Sequence, residues 1–301
     1  MKATFCGVRG SIPTTLSSEE VLNRILSQTR GDSISVKKLK SLAQKGLLGY
    51  GGDTSCVLLQ DGDKHLIVDA GTGIRRINHL DLGDDIHILL THLHWDHIQG
   101  LPFLQPIYMP NKKVHIHTAV EIKNVKAALK KQWGEPFFPV PYEAISKQLV
   151  FHPLKENDRA NSFGVESIQL AHPFPTYGYK VSNGKRTYAH MSDTELAILK
   201  ATEKTKYKKF LKDADFVVAD SQFDPEEVKK FKTWGHSCIH HFIDICANGP
   251  AKTLGLFHYN PVESEEKIDD IFKKAKQYLK QVKGGENIKL INCIEGQTHQ
   301  I

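Results

Sequence analysis

Apolar residues recur along the chain at two spacings, and the alternation between them predicts a mixture of sheet and helix. Short apolar runs bounded by Gly, Pro or Asp read as buried strands. They fall at 3–8, 66–69, 86–90, 114–118, 165–170, 215–219, 254–257 and 288–293, and another strand re-enters over 50–57. Two more runs, 176–181 and 186–189, flank Ser182-Asn183-Gly184-Lys185, whose Asn-Gly pair suits a hairpin. Asp61-Gly62-Asp63 marks another hairpin before Leu66. Apolar residues three and four apart place helices at 19–29, 36–48, 121–133 and 238–247. A long amphipathic helix carries Ile268, Ile271, Phe272, Ala275, Tyr278 and Leu279. The first two helices form an insertion over about 14–49, with Ser17 or Ser18 capping the first and Gly49 ending the second. No tandem repeat or linker divides the chain, so residues 1–301 read as one domain.

Composition narrows the class. Hydrophobic residues make up 40% and charged residues 25% of the 301, the balance of a soluble globular chain. No apolar run approaches the ~18 residues needed to cross a bilayer, which leaves no membrane role. The start, Met1 to Gly7, lacks the apolar core of a secretion signal. Cys6, Cys56, Cys238, Cys246 and Cys293 are an odd, scattered set without CxxC spacing, which favours reduced thiols and a cytoplasmic setting. The net charge of +6 suits an anionic substrate such as a phosphodiester. It is too small to argue for nucleic-acid binding by itself. Lysines at 37–45, 200–212, 229–232 and 273–283 read as solvated helix faces.

The chemistry concentrates in Thr91-His92-Leu93-His94-Trp95-Asp96-His97. An apolar strand precedes it and Gly100 and Pro102 follow, so it sits where a strand stops, the place where open α/β sheets carry chemistry. His92 and His94, two apart, can converge on one ion, and Asp96 and His97 on a tighter turn aim at a second point. Imidazole and carboxylate suit zinc or manganese. Three later strands also end on a His or Asp: His172, Asp193 and His258.

His92-Leu93-His94-Trp95-Asp96-His97 resembles the HxHxDH signature of the metallo-β-lactamase superfamily, and the ordered later motifs extend the resemblance over nearly the whole chain. The resemblance implies an αββα sandwich of two mixed β-sheets flanked by helices. It also implies a ligand set for two divalent ions, zinc or manganese. His92, His94 and His172 would hold the first, Asp96, His97 and His258 the second, and Asp193 would bridge them. Two such ions share a water whose hydroxide attacks the substrate, with Asp96 orienting it. Asp69 would support the metal loop without ligating. Trp234-Gly235-His236-Ser237 is similar to the superfamily's GHS/T element, which makes His236 the candidate general acid, and Asp220 stands where an acidic partner would raise its pKa. The remaining histidines (65, 79, 87, 115, 117, 152, 190, 240, 241 and 299) read as structural, with His240 and His241 supporting His236.

Within the superfamily, Gly7-Val8-Arg9-Gly10-Ser11, Trp234-Gly235-His236-Ser237 and Phe257-His258-Tyr259-Asn260-Pro261 look most like small phosphodiesterases. Asp53 stands where the family usually has Asn. The leading expectation is a dinuclear phosphodiesterase acting on a small anionic phosphodiester, cyclic nucleotides first, and a homodimer by resemblance. The alternative is a tRNA 3′-end processing endonuclease, with RNA as partner. A non-catalytic protein that keeps the fold is a third reading, and the complete ligand set argues against it. The Pro- and aromatic-rich segments 101–108 and 135–141 either line the pocket, make a dimer contact or are packed loops.

Overall fold

The computed structural model describes residues 1–29, 34–155, 157–247, 249 and 251–301. Its framework is two seven-stranded sheets. The first sheet is built from β1 (Lys2–Gly7), β2 (Cys56–Asp61), β3 (Lys64–Val68), β4 (Asp85–Leu89), β5 (Lys113–Thr118), β6 (Leu149–Pro153) and the final strand β14 (Thr298–Gln300), in the order β14-β1-β2-β3-β4-β5-β6. The second runs β13-β12-β11-β10-β9-β8-β7, with β7 (Asp158–Ala160), β8 (Phe163–Gln169), β9 (Tyr177–Ser182), β10 (Thr187–Met191), β11 (Phe216–Asp220), β12 (Thr253–Phe257) and β13 (Lys289–Asn292).

Each sheet is antiparallel on one side and parallel on the other. Strands β3 to β6 are mutually parallel, and so are β10 to β13. Alternation along the strands explains the layering. Val57, Leu59, Leu66, Val68 and Leu89 face inward with Tyr179, Val181, Val218 and Phe257 to form the core between the sheets. Ile67, Ile86, Ile88, Val114 and Ile116 point outward and pack with Val125 and Leu129, which lie on a helix at Ile122–Gln132. Helices at Ile239–Cys246 and Glu265–Leu279 cover the other sheet. The architecture is the expected αββα sandwich, two mixed sheets flanked by helices.

Two helices do stand between β1 and β2, at Ser18–Thr29 and Val36–Gln44. Ser17 caps the first: Glu20 N donates to Ser17 Oγ at 3.2 Å, and Ser17 N to Glu20 Oε2 at 2.7 Å, a reciprocal box. The second ends earlier than expected. Gly46, at φ +72°, takes the left-handed turn, its N–H and that of Leu47 closing on Ala43 and Leu42, so Gly49 is not the stop. The segment expected to re-enter a strand at 50 does so only at Cys56, because Gly51 and Gly52 pass over the loop at Thr14 and under Glu295. Strands β6, β7 and β14 were not legible in the apolar pattern. Each is short or at a sheet edge, where one face needs no apolar residue.

Four of the histidines read as structural are in contact with one another. His87, His115, His117 and His152 form a block on β4, β5 and β6. His87 Nδ1 lies 3.0 Å from His117 Nε2, and His115 Nδ1 2.9 Å from His152 Nε2. The two pairs stack on one another, His87 over His115 and His117 over His152, at 4.6 and 4.5 Å between centroids. His115 Nε2 donates to Asp85 Oδ1 at 2.8 Å, which leaves its Nδ1 to accept from His152. His240, expected to support His236, stacks on Tyr278 at 4.1 Å instead. The two Pro-aromatic segments pack on each other through Phe103 and Phe138.

Candidate metal centre

Most candidate residues lie at or just beyond the carboxyl end of a parallel strand, while His172 follows β8, which is antiparallel to both its neighbours. Asp69 follows β3 and His92 follows β4; Asp193, Asp220 and His258 close or follow β10, β11 and β12. The sheets therefore bring the signature segment opposite residues up to 162 positions away. Three of these strand-end residues, Asp69, Asp193 and His258, hold left-handed backbone at φ +61°, +57° and +61°. That is uncommon for any residue but Gly and turns each side chain across the strand end.

The distances are those of ligands gathered about an ion. A tetrahedron with metal–nitrogen arms of about 2.0–2.1 Å has edges near 3.3 Å. His94 Nδ1 and His172 Nε2 are 3.3 Å apart, and His97 Nε2 and His258 Nε2 are also 3.3 Å apart. Asp96 Oδ2 lies 3.2 Å from His97 Nε2 and 3.1 Å from His258 Nε2. Asp193 reaches both groups: Oδ2 stands 3.2 Å from His97 Nε2 and 3.4 Å from His258 Nε2, and Oδ1 3.8 Å from His92 Nε2. His92, His94, His172 and Asp193 form one cluster with ligand atoms within 4.8 Å of one another, and Asp96, His97 and His258 another. All seven residues expected as ligands are thus brought together.

Buried polar atoms need partners, yet His92 Nε2 and Asp193 Oδ2 are buried with none. Electrostatics carries the same message. Burial and the neighbouring His97 hold His92 well below the ordinary histidine range. Burial and His172 bring His94 to about 4, and burial lowers His172. Burial opposes the charge on Asp96 and Asp193, but His97 and His258 outweigh it and hold both carboxylates well down. The carboxylates in turn overcome burial to lift His97 well up and His258 to about 9. The pocket is thus short of positive charge, which a divalent cation supplies, and its carboxylates and three of its imidazoles stand in the protonation states that ligate. The residues present fit a pair of cations.

A second layer fixes the rings. Asp69 Oδ2 lies 2.7 Å from His97 Nδ1, while its Oδ1 accepts from Thr91 N and Thr91 Oγ1, both at 2.9 Å. Asp69 thus points at the cluster's back and not into it. Thr91 Oγ1 meets His92 Nδ1 at 3.0 Å, Gly235 O meets His172 Nδ1 at 3.1 Å, and Gln222 Oε1 meets His258 Nδ1 at 3.1 Å. Ser11 N donates to Asp96 Oδ2 at 2.7 Å. Of these supports, sequence reasoning missed Gln222 and Ser11. Gln222 sits two residues beyond the end of β11, a polar position at a strand end that could have marked it. Gly10 permits a close approach: a Cβ there would stand 2.4 Å from His258 Cε1.

His236 stands beside both clusters. Its ring stacks on His258 at 5.2 Å and lies edge-on to His172 at 5.7 Å. Nδ1 is 2.9 Å from Asp220 Oδ2, which leaves Nε2 free. Asp220 is itself held by the N–H groups of Asp193, Ser237 and Gln222 at 2.8, 3.0 and 3.3 Å. The departure at Asp53 has a local reason. Its carboxylate pairs with Arg75 Nη2 at 3.1 Å and Arg76 Nε at 2.6 Å, so a charged side chain answers two guanidiniums.

The profile of the beta-lactamase superfamily domain matches residues 64–259, which span both halves of the centre. The chain belongs to this superfamily. It is a metal-dependent hydrolase by class. Among curated relatives, a ribonuclease Z of Haloarcula marismortui is 24% identical over 326 residues, covering 90% of each chain. Among solved structures, the metallo-β-lactamase fold protein YhfI of Bacillus subtilis superposes with a TM-score of 0.66 at 16% identity, over 99% of this chain and 98% of that one. The short form of human tRNase Z superposes with a TM-score of 0.60 at 17% identity, over 100% and 99%. Among the described residues no helix is long and apolar enough to cross a membrane.

Proposed function

We propose that this superfamily member is a dinuclear phosphodiesterase that cuts RNA near a 3′ end. The expectation of a cyclic nucleotide gives way to the alternative because the curated relative that matches 90% of the chain is a ribonuclease Z. The observation that carries the reading is the Asp220–His236 pair set against two clusters of ligands. A phosphodiester needs a nucleophile on one side and a proton for the leaving oxygen on the other.

His92, His94, His172 and Asp193 would hold one cation and Asp96, His97, His258 and Asp193 the other. Zinc and manganese both suit this donor set. Such a pair lowers the pKa of a water and offsets charge on phosphoryl oxygens. Asp96, fixed by Ser11 N, orients the attacking water. Asp220 holds the Nδ1 proton of His236, so Nε2 faces the substrate as the proton donor. His236 then protonates the ester oxygen that departs, and Asp220 stabilises the imidazolium beforehand. The buried backbone donors around Asp220 keep it aimed, so the proton is delivered from a fixed point.

The test is direct. The zinc- or manganese-loaded protein is given a precursor tRNA with a 3′ extension and, separately, a panel of 3′,5′-cyclic nucleotides. Release of the extension by wild type, lost in Asp193→Ala, is expected. Turnover of cyclic nucleotides with an untouched precursor overturns the RNA reading. No turnover of either, with metal bound, overturns the phosphodiesterase reading.

A further inference from the structure

Large apolar side chains scattered singly on a surface need no explanation, but here they gather where a substrate must sit. Two of the chain's three tryptophans, Trp95 and Trp234, are 54% and 59% exposed, and Phe174 is 62% exposed. All three lie on the turns that carry the centre. Trp95 stands between His94 and Asp96. Phe174 lies two residues past His172 and meets His94 edge-on at 5.2 Å. Trp234 precedes Gly235, at φ +87°, where a Cβ would stand 2.0 Å from His172 Nδ1. The Trp234 turn is thus pressed against the His172-Pro173-Phe174 turn, and that turn against His94-Trp95. The three aromatics thus stand on neighbouring turns that together rim the centre.

The rim is also braced. Trp234 packs on Phe231 at 5.0 Å, and Phe231 stacks on Phe223 at 4.8 Å. Neither Trp95, at the first position of a short helix (Trp95–Ile98), nor Trp234 fills the core. More than half of each tryptophan stays open to solvent, and a held ring loses little freedom when something stacks on it.

We propose that Trp95, Phe174 and Trp234 are a stacking platform for the nucleobases that flank the scissile phosphate. This rests on the phosphodiesterase reading and adds the part of the substrate that the metal centre cannot recognise. Every base offers a π face, so such a platform tolerates sequence while requiring a nucleotide. Its occupant is the base of the phosphodiester itself, because a phosphate seated between His236 and the ligand clusters leaves its neighbouring nucleosides against these turns.

The tryptophans supply their own probe, since Trp133 is buried and the other two are not. Metal-loaded protein is titrated with adenosine 5′-monophosphate and with ribose 5-phosphate, reading tryptophan fluorescence and competition calorimetry. The nucleotide is expected to quench and to bind roughly ten-fold tighter than the base-free ester. That advantage falls in Trp234→Ala and Phe174→Ala and returns in Trp234→Phe. Equal affinity of the two ligands for wild type overturns the proposal, as does an advantage that survives in both alanine variants. A kinetic arm compares thymidine 5′-(4-nitrophenyl) phosphate with methyl 4-nitrophenyl phosphate. Trp234→Ala should lose at least five-fold more kcat/KM on the nucleotide ester than on the methyl ester, and equal losses count against the platform. If wild type cleaves neither ester nor the precursor tRNA nor a cyclic nucleotide, the phosphodiesterase reading fails, while the binding titration still decides the platform.

Discussion

The histidine block on β4, β5 and β6 makes stability depend on pH in a way that can be sized. Burial and then the charge of His115 bring His87 to about 4; burial and then the charge of His152 bring His117 to about 3. The ordinary value is 6.5. Asp85 and Asp158 oppose these shifts but do not offset them. A histidine whose folded pKa is lowered binds fewer protons folded than unfolded below pH 6.5. Stability therefore falls as pH drops through the unfolded pKa, and the loss is complete only below the folded pKa. At pH 4.5 each group has gone two units below 6.5, a limit of about 2.7 kcal/mol each at 1.36 kcal/mol per unit. His87 is only partly buried, and the two share their charge terms, so about 3 kcal/mol is expected for the pair. The perturbation is the double substitution His87→Phe with His117→Phe. It keeps the ring stacks on His115 and His152 and removes both nitrogens of the 3.0 Å contact together, leaving no orphan. Urea unfolding is measured in a chelator from pH 7.5 to 4.5, so that metal loss does not enter and the titration of the centre is common to both proteins. Wild type should lose about 3 kcal/mol more than the variant across that window. Losses that agree within 1 kcal/mol would refute the reasoning.

Three further outcomes follow from the centre and its supports. Asp220→Asn removes the acceptor that holds the His236 proton, so kcat should drop about 10²- to 10⁴-fold with metal content unchanged; parallel loss of metal would make Asp220 part of the ligand set instead. Asp69→Ala frees His97 Nδ1 and Thr91, and a competing chelator should show metal affinity about 10- to 100-fold lower, whereas wild-type retention would sink its orienting role. Arg9→Met leaves Glu265 buried at 2% exposure without its guanidinium, a destabilisation of about 3–5 kcal/mol in urea, and Arg9→Met with Glu265→Leu should recover part of it. No change in the single variant would show the pair to be dispensable.

The sequence carries the fold and the centre to different depths. Strands β3, β11 and β12 were legible because both their faces are buried, which makes their runs nearly continuously apolar, and β4 and β10 remained legible although His87 and His190 interrupt them. Edge strands such as β7 and β14 had no such run to read. The candidate ligands were legible because they stand just past strands and the signature packs four of them together. The Asp220 partner was legible for the same reason. The histidine block was not, since its members alternate with Ile86, Ile88, Val114 and Ile116 on three strands and meet only through register, His87 opposite His115 and His117 opposite His152. A pattern read along one strand cannot see a stack built across three. Gln222 was missed because a single polar residue at a loop start has no distinguishing neighbour, and the role of Ser11, though it lies in the Gly7–Ser11 motif, was missed because it acts through its backbone N–H.

The left-handed strand ends connect the fold to the chemistry. Non-glycine residues in that conformation cost about 1–3 kcal/mol each and persist only where the surroundings over-determine them. Glycine would relieve Asp69, Asp193 and His258 but would supply no carboxylate or imidazole. The surroundings that hold them are the two sheets themselves. Asp69 is tied to Thr91 and His97 within the first sheet's end, and Asp193 takes its N–H to Asp220 in the second. The contacts that complete the centre cross between sheets, Asp96 to His258 and His97 to Asp193. Strain is thus set by each sheet separately, while ligand geometry exists only when the sheets are docked. A cation bound by both groups would then favour the docked arrangement over every state in which the sheets part, so metal affinity and the stability of the sandwich are one linked quantity.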